Sequence, residues 1–154
     1  MNKTLFFAQK AFIYHEGRVV GIQKSADDPN QPGRWEVPGG RMKFGEEVDE
    51  HLRREVREET RLEIVPGRPF YVWQWVLERM DEKGEPVLWQ IVAVARLCTT
   101  TSLALNTKQQ EVDDYIKNAC WIPIKNLDQY GWIPNMVPVL AAFRQLPEIE
   151  RSCQ

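Results

Sequence analysis

Three glutamates, Glu55, Glu58 and Glu59, fall within five consecutive positions, with Arg54 immediately before them and Glu46 further upstream. If the segment is helical, successive residues turn by about 100°. Val48, Leu52 and Val56 then form one stripe, the face expected to be buried. Glu55 and Glu59 lie one turn apart and within roughly 60° of the centre of that stripe. Glu58 lies on the flank beside His51, which reads as exposed and structural, while Arg53 and Arg57 point to solvent. A carboxylate on an apolar face costs stability unless something pairs with it. A hard divalent cation is one such partner, and Mg²⁺ characteristically takes a few carboxylates while sharing phosphate oxygens of a substrate. The alternative is an ordinary charged helix laced with pairs such as Glu50–Arg54, each worth about 0.2–0.5 kcal/mol. That accounts for the outward half and leaves Glu55 and Glu59 unexplained.

The elements that must position these acids are readable from pattern. Phe12 and Tyr14, a turn at Gly17, and the apolar run 18–22 predict two strands joined by a tight turn. Residues 25–33 (SADDPNQPG) are turn formers and predict a surface loop. Trp35, Glu36 and Val37 form a short strand stopped by Pro38-Gly39-Gly40, whose glycines leave carbonyls open to a ligand or ion. The helix is expected over 46–60, with Pro66 and Gly67 ending that region. In the strand 70–78, Tyr71, Trp73, Trp75 and Leu77 share one face. The turn 81–85 leads to a nearly continuous apolar strand over 87–98. A polar loop over 99–110 carries on to Glu111, Asp113 and Asp114, and then to a short strand at 119–122. Residues 134–145 predict a C-terminal helix, with Asn135 as N-cap and Pro138 in the first turn. Strands on both sides of a central helix, with a second helix at the end, predict a mixed α/β layered fold in one domain spanning 1–154.

Composition narrows the function classes. With 154 residues, 43% of them hydrophobic, the chain suits one globular core. A formal net charge of −2 gives no electrostatic case for binding a nucleic-acid polymer or an anionic membrane. No apolar run approaches the roughly 20 residues a bilayer requires. The opening MNKTLFFAQKAF, its short apolar patch interrupted by Gln9 and Lys10, does not read as a signal peptide. Cys98, Cys120 and Cys153 are odd in number and widely spaced, which predicts reduced thiols and a cytoplasmic setting.

Gly40, five residues, Glu46, seven residues, Arg54-Glu55-Val56, one residue, and Glu58-Glu59 together resemble the signature of the Nudix hydrolase family. The flanking GRWEVPGG and KFGEE runs resemble it too. The resemblance implies an α/β/α sandwich with a mixed β-sheet and a hydrolase that uses Mg²⁺, with Mn²⁺ as substitute, to cleave the diphosphate linkage of a nucleoside diphosphate derivative. It implies Glu55 and Glu59 as metal ligands with the Gly39 carbonyl completing the set, and Glu58 as a ligand to a further ion or a base. Arg54 would hold a glutamate in orientation; Gly40 and Glu46 would support the site. Glu111 is the expected distal ligand or base, with Asp113 and Asp114 as rivals. Family members are often homodimers. One position departs: the signature has Gly where this chain has Arg61, just past the helix end. There a left-handed conformation costs a non-glycine residue roughly 1–2 kcal/mol.

Substrate identity is less directly written. Trp73 and Trp75, with Tyr71, could stack a base, worth about 1–3 kcal/mol per contact, or could simply pack in the core. Trp35, next to the signature, carries the same alternatives. Family branches acting on ADP-ribose or dinucleoside polyphosphates resemble sequences with a Pro or Tyr about fifteen residues downstream of the signature. Here Leu77, Glu78, Arg79 and Met80 stand there. The expectation is therefore a MutT-like nucleoside triphosphate pyrophosphohydrolase, with oxidised purine nucleotides as candidate substrates. The alternatives are an ADP-ribose or nucleotide-sugar pyrophosphatase and a non-catalytic nucleotide sensor.

Overall fold

The computed structural model describes residues 1–107 and 115–152. Its spine is β1 (Asn2–His15), which pairs in parallel with β6 (Pro86–Thr100) from Asn2↔Val87 to Ile13↔Cys98. On the far side of β6 lies β5 (Ile64–Met80), antiparallel and at the edge. On the other side of β1 lies the short β4 (Gly39–Arg41), with Gly39 opposite Lys10 and Gly40 opposite Gln9. The end of β1 turns into β2 (Arg18–Lys24), which pairs with β3 (Trp35–Glu36) and β7 (Ile116–Pro123). One strand thus serves a mixed sheet and a smaller antiparallel one.

Alternation along β1 sends neighbours to opposite layers. Ala11 and Ile13 pack against Leu52 and Val56 of α1 (Val48–Thr60). Phe12 packs on the other side against Val139, Leu140 and Phe143, which belong to α2 (Val137–Arg144). The result is the expected mixed α/β sandwich. Among the described residues no helix is long and apolar enough to cross a membrane. Cys98 and Cys120 are free thiols, and burial pushes the Cys98 thiol up to about 11.

Several boundaries differ from the sequence reading. Pro66 and Gly67 do not end a region; they lie within β5, where the register against β6 shifts. An edge strand tolerates proline because one side of its backbone has no ladder to break. Strand β6 runs on through Thr100, two residues into the expected loop. The C-terminal segment begins as a 3₁₀ turn over Pro134–Met136, and α2 follows with Pro138 in its first turn; Asn135 is not its N-cap. A further 3₁₀ stretch, Ile124–Gln129, and a short α3 (Pro147–Ser152) had no sequence signal.

The end of α1 is decided by Arg61, which takes up the left-handed conformation at φ 66°, ψ 8° while its N–H still reaches the Arg57 carbonyl. The glycine position of the signature keeps its backbone shape despite carrying a side chain. Arg61→Gly is therefore expected to stabilise the fold by about 1 kcal/mol. A urea midpoint unchanged or lower than wild type would contradict this.

Candidate active site

The helix presents a broader buried arc than the apolar stripe alone suggests. Leu52 and Val56 are buried as expected, but so are His51, Glu55, Glu59 and Thr60. Val48, aligned with the stripe, sits in the first turn and is 49% exposed. Glu55 is 7% exposed and Glu59 1%, so both carboxylates sit well inside the protein.

His51 corrects the expectation of an exposed flank residue. Gln9 donates to its Nδ1 at 2.8 Å, and its Nε2 lies 2.9 Å from the Gly40 carbonyl. A neutral ring that accepts at Nδ1 and donates from Nε2 satisfies both partners. Burial, which lowers its pKa, favours that neutral form. Gln9 also donates to the Val48 carbonyl, while Arg96 donates to Gln9 and to Asp49. This chain of side chains ties the start of α1 to β1 and β6 and fixes β4 against the helix.

The two glycines make that approach possible. Gly39 has φ +143°, and a Cβ on it would strike the Gln9 carbonyl and come 2.8 Å from Lys10 Cα. A Cβ on Gly40 would lie 2.7 Å from Glu55 Oε2. The Gly39 N–H donates to Glu59 Oε1 at 2.7 Å, so the turn and the carboxylate hold each other.

Arg54 gathers the other acids. Its guanidinium donates to both oxygens of Glu46, at 2.6 and 2.9 Å, and to Glu58 at 3.2 and 3.3 Å. It also lies 3.2 Å from Glu55. Glu50, read as its partner, pairs with Arg53 instead. Hydrogen bonding from Arg54 outweighs the opposing effect of burial and, with the Lys43 N–H, holds the Glu46 carboxyl at about 2. A depressed folded pKa gives stability that is present above the ordinary carboxylate range and lost as pH falls through about 2. The urea midpoint should therefore drop more between pH 5 and 3 in wild type than in Glu46→Gln. Parallel pH curves for the two proteins would refute that assignment.

Two charged residues carried no site expectation. Lys10, on β1 and 8% exposed, donates to Glu36 Oε1 at 2.5 Å and to the Gly39 carbonyl at 3.3 Å. Burial works to lower the pKa of Lys10, but the attraction of Glu36, Glu59 and Glu55 prevails and raises it. Glu36 is likewise lowered by Lys10 and Lys24 against the effect of burial. Their sequence signal was no more than a charge set among apolar neighbours, Lys10 within 5–13 and Glu36 between Trp35 and Val37.

Lys10 and Glu36 belong to the lining of a cleft of about 200 Å³, together with Trp73, Trp75, Arg79 and Asn135. The rings of Trp73 and Trp75 are 6.1 Å apart and inclined at 31°. The indole N–H of Trp73 is buried and has no hydrogen-bond partner among the described residues. Tyr71 packs 6.1 Å from Trp73, outside this lining. Trp35 stands edge-on to Tyr130 at 5.1 Å and packs on the core, also outside the lining. Glu111, Asp113 and Asp114 lie outside the described residues.

Among the described residues, no three acidic, histidine or cysteine side chains form a ready metal cage. The available donors are two buried carboxylates and a backbone carbonyl, all hard oxygens. They fit Mg²⁺ or Mn²⁺, which complete their coordination with water and substrate phosphate, and do not fit a softer metal.

The profile of the NUDIX domain matches residues 8–143. A 60-residue stretch is 40% identical to nucleoside triphosphatase NudI of Enterobacter sp. (strain 638), covering 38% of this chain and 43% of that protein. The 8-oxo-dGTP diphosphatase of Escherichia coli (strain K12) is 28% identical over 94 residues, covering 50% of this chain and 73% of the relative. Human 8-oxo-dGDP phosphatase NUDT18 is 31% identical over 137 residues, which is 87% of this chain and 38% of the human protein. The chain thus spans less than half the length of two of these three relatives. The crystal structure of a MutT protein from Methanosarcina mazei Go1 superposes with a TM-score of 0.65 at 19% identity, covering 99% of this chain and 95% of that one. At that identity the likeness speaks for the fold alone. A profile match over most of the chain, joined to the glutamate-bearing helix and its glycine turn, places this chain in the Nudix family.

Proposed function

We propose that this protein is a Mg²⁺-dependent nucleoside triphosphate pyrophosphohydrolase of the MutT type, acting on purine nucleotides and their oxidised forms. The observation that carries the reading is the adjacency of two surfaces. A cleft walled by Trp73 and Trp75 has Lys10 and Glu36 in its lining, and Lys10 reaches the Gly39 carbonyl beside the carboxylates of α1. A base stacked on the tryptophans therefore puts its phosphates near the acids. The relatives named as 8-oxo-dGTP diphosphatases support the choice of substrate class.

In this reading Glu55, Glu59 and the Gly39 carbonyl would hold a divalent cation, which when bound would neutralise diphosphate oxygens and acidify the attacking water. Arg54 keeps Glu58 and Glu46 in place through charge-assisted hydrogen bonds. Glu58 serves as a ligand to a further ion or as the base, with Glu111 as the distal alternative. Water oxygen bonds to phosphorus, the anhydride P–O bond breaks, and the products are a nucleoside monophosphate and pyrophosphate. A panel of triphosphates, including 8-oxo-dGTP, with ADP-ribose and nucleotide sugars tests this by product analysis. Preferred cleavage of ADP-ribose or a nucleotide sugar would overturn the substrate assignment.

The Trp73 indole N–H, which has no partner among the described residues, is read as a donor to the nucleotide. Trp73→Phe keeps a ring face and removes the donor, so KM should rise roughly tenfold, corresponding to about 1.4 kcal/mol. An unchanged KM would leave Trp73 as a packing residue only.

A further inference from the structure

Lys10 is a costly residue to bury, and one carboxylate would suffice to pair it. Its ammonium instead faces three: Glu36 in direct contact, with Glu59 and Glu55 close enough to act on it through space. It donates as well to the Gly39 carbonyl, whose own N–H is bound to Glu59. An ammonium has three N–H groups, and Glu36 and Gly39 take two of them. The same side chain belongs to the lining of the open cleft, so the charge is not sealed away from a ligand.

We propose that Lys10 is a positioning residue that acts as a resident cation of the active site, holding the Gly39 carbonyl and facing the helix carboxylates until a divalent ion displaces it. The inference rests on the metal reading given above. A carbonyl that accepts from an ammonium offers an arriving ion only its other lone pair, and the ion meets a like charge beside it until the ammonium moves away. Metal entry is therefore weak in the nucleotide-free enzyme. It becomes favourable when a polyphosphate brings its own oxygens and gives the displaced ammonium a new anionic partner. Lys10 thereby links metal uptake to the presence of substrate.

The test is Mn²⁺ binding to the nucleotide-free protein, read from the electron paramagnetic resonance signal of the free ion. Lys10→Met should bind Mn²⁺ at least roughly tenfold more tightly than wild type, as expected from removing a neighbouring unit charge. Lys10→Arg should stay within about threefold of wild type. Because Lys10→Met leaves Glu36 buried without its partner, Lys10→Met/Glu36→Gln is measured beside it. This double variant removes both charges and prevents Glu36 from becoming a substitute ligand. Tighter binding in the double variant than in Glu36→Gln alone supports the inference. Equal, measurable Mn²⁺ affinity in those two variants overturns it while leaving the metal reading standing. If none of the proteins binds Mn²⁺, the metal reading itself falls, and this inference with it.

Discussion

Glu59→Gln is expected to lower kcat by roughly 10³-fold or more while leaving the protein folded. The separation follows from the two things this carboxylate does. Structurally, Oε1 accepts the Gly39 N–H at 2.7 Å, and an amide oxygen in the same place can accept it too. Lys10, which feels the Glu59 charge, keeps its direct partner Glu36, so the substitution does not strand a buried ammonium. Electrostatically nothing replaces the lost charge, because Glu59 is 1% exposed and solvent cannot stand in for it. Steady-state kinetics with a thermal melt decides the matter. A variant retaining more than about a tenth of wild-type kcat would remove Glu59 from the proposed metal set.

Gly39→Ala should produce the largest loss of stability among conservative changes near the site. The added methyl meets backbone on one side and Lys10 on the other, and φ is +143°, where side chains are strained whatever the space. Relief requires β4 to part from β1, yet the neighbouring Ala11 N–H donates to the Pro38 carbonyl at 2.8 Å. Overpacking plus strain is expected to cost about 3 kcal/mol or more. Gly33→Ala is the control: its φ is also positive at +73°, but no atom lies within 4 Å of the added carbon. That change should cost only about 1 kcal/mol. Comparable urea midpoints for the two variants would mean that β4 yields more easily than its contacts indicate.

What could be read ahead of the structure was governed by local geometry. Glu55 and Glu59 were assigned to the inner side of a helix by rotation per residue alone, and both are buried there. The strand alternation that separates Trp73 and Trp75 from Val72 and Val76 was legible for the same reason: the former line the cleft and the latter are exposed. Lys10 and Glu36 were not, because their partnership spans 26 positions and depends on β4 folding back along β1. In the sequence Lys10 merely interrupts an apolar run. His51 was misread for a related reason. A helical wheel gives its direction, but the partner that draws it inward is Gln9, 42 positions away on another element. Arg61 shows the converse: it closes the helix with a glycine-like backbone although its residue type argues against it.

The double membership of β1 has a bearing on how this protein wears out. The strand sets Gln9 and Lys10 opposite Gly40 and Gly39 of β4, and it is also the parallel partner of β6 over twelve residue pairs. A fluctuation that opens the active-site turn from this side must disturb the central ladder. Loss of catalytic competence on heating or ageing should therefore coincide with global unfolding, without a long-lived, compact but inactive form in between. Amide protons at Ala11 and Gly39 would then exchange with solvent at the same slow pace as those of β6.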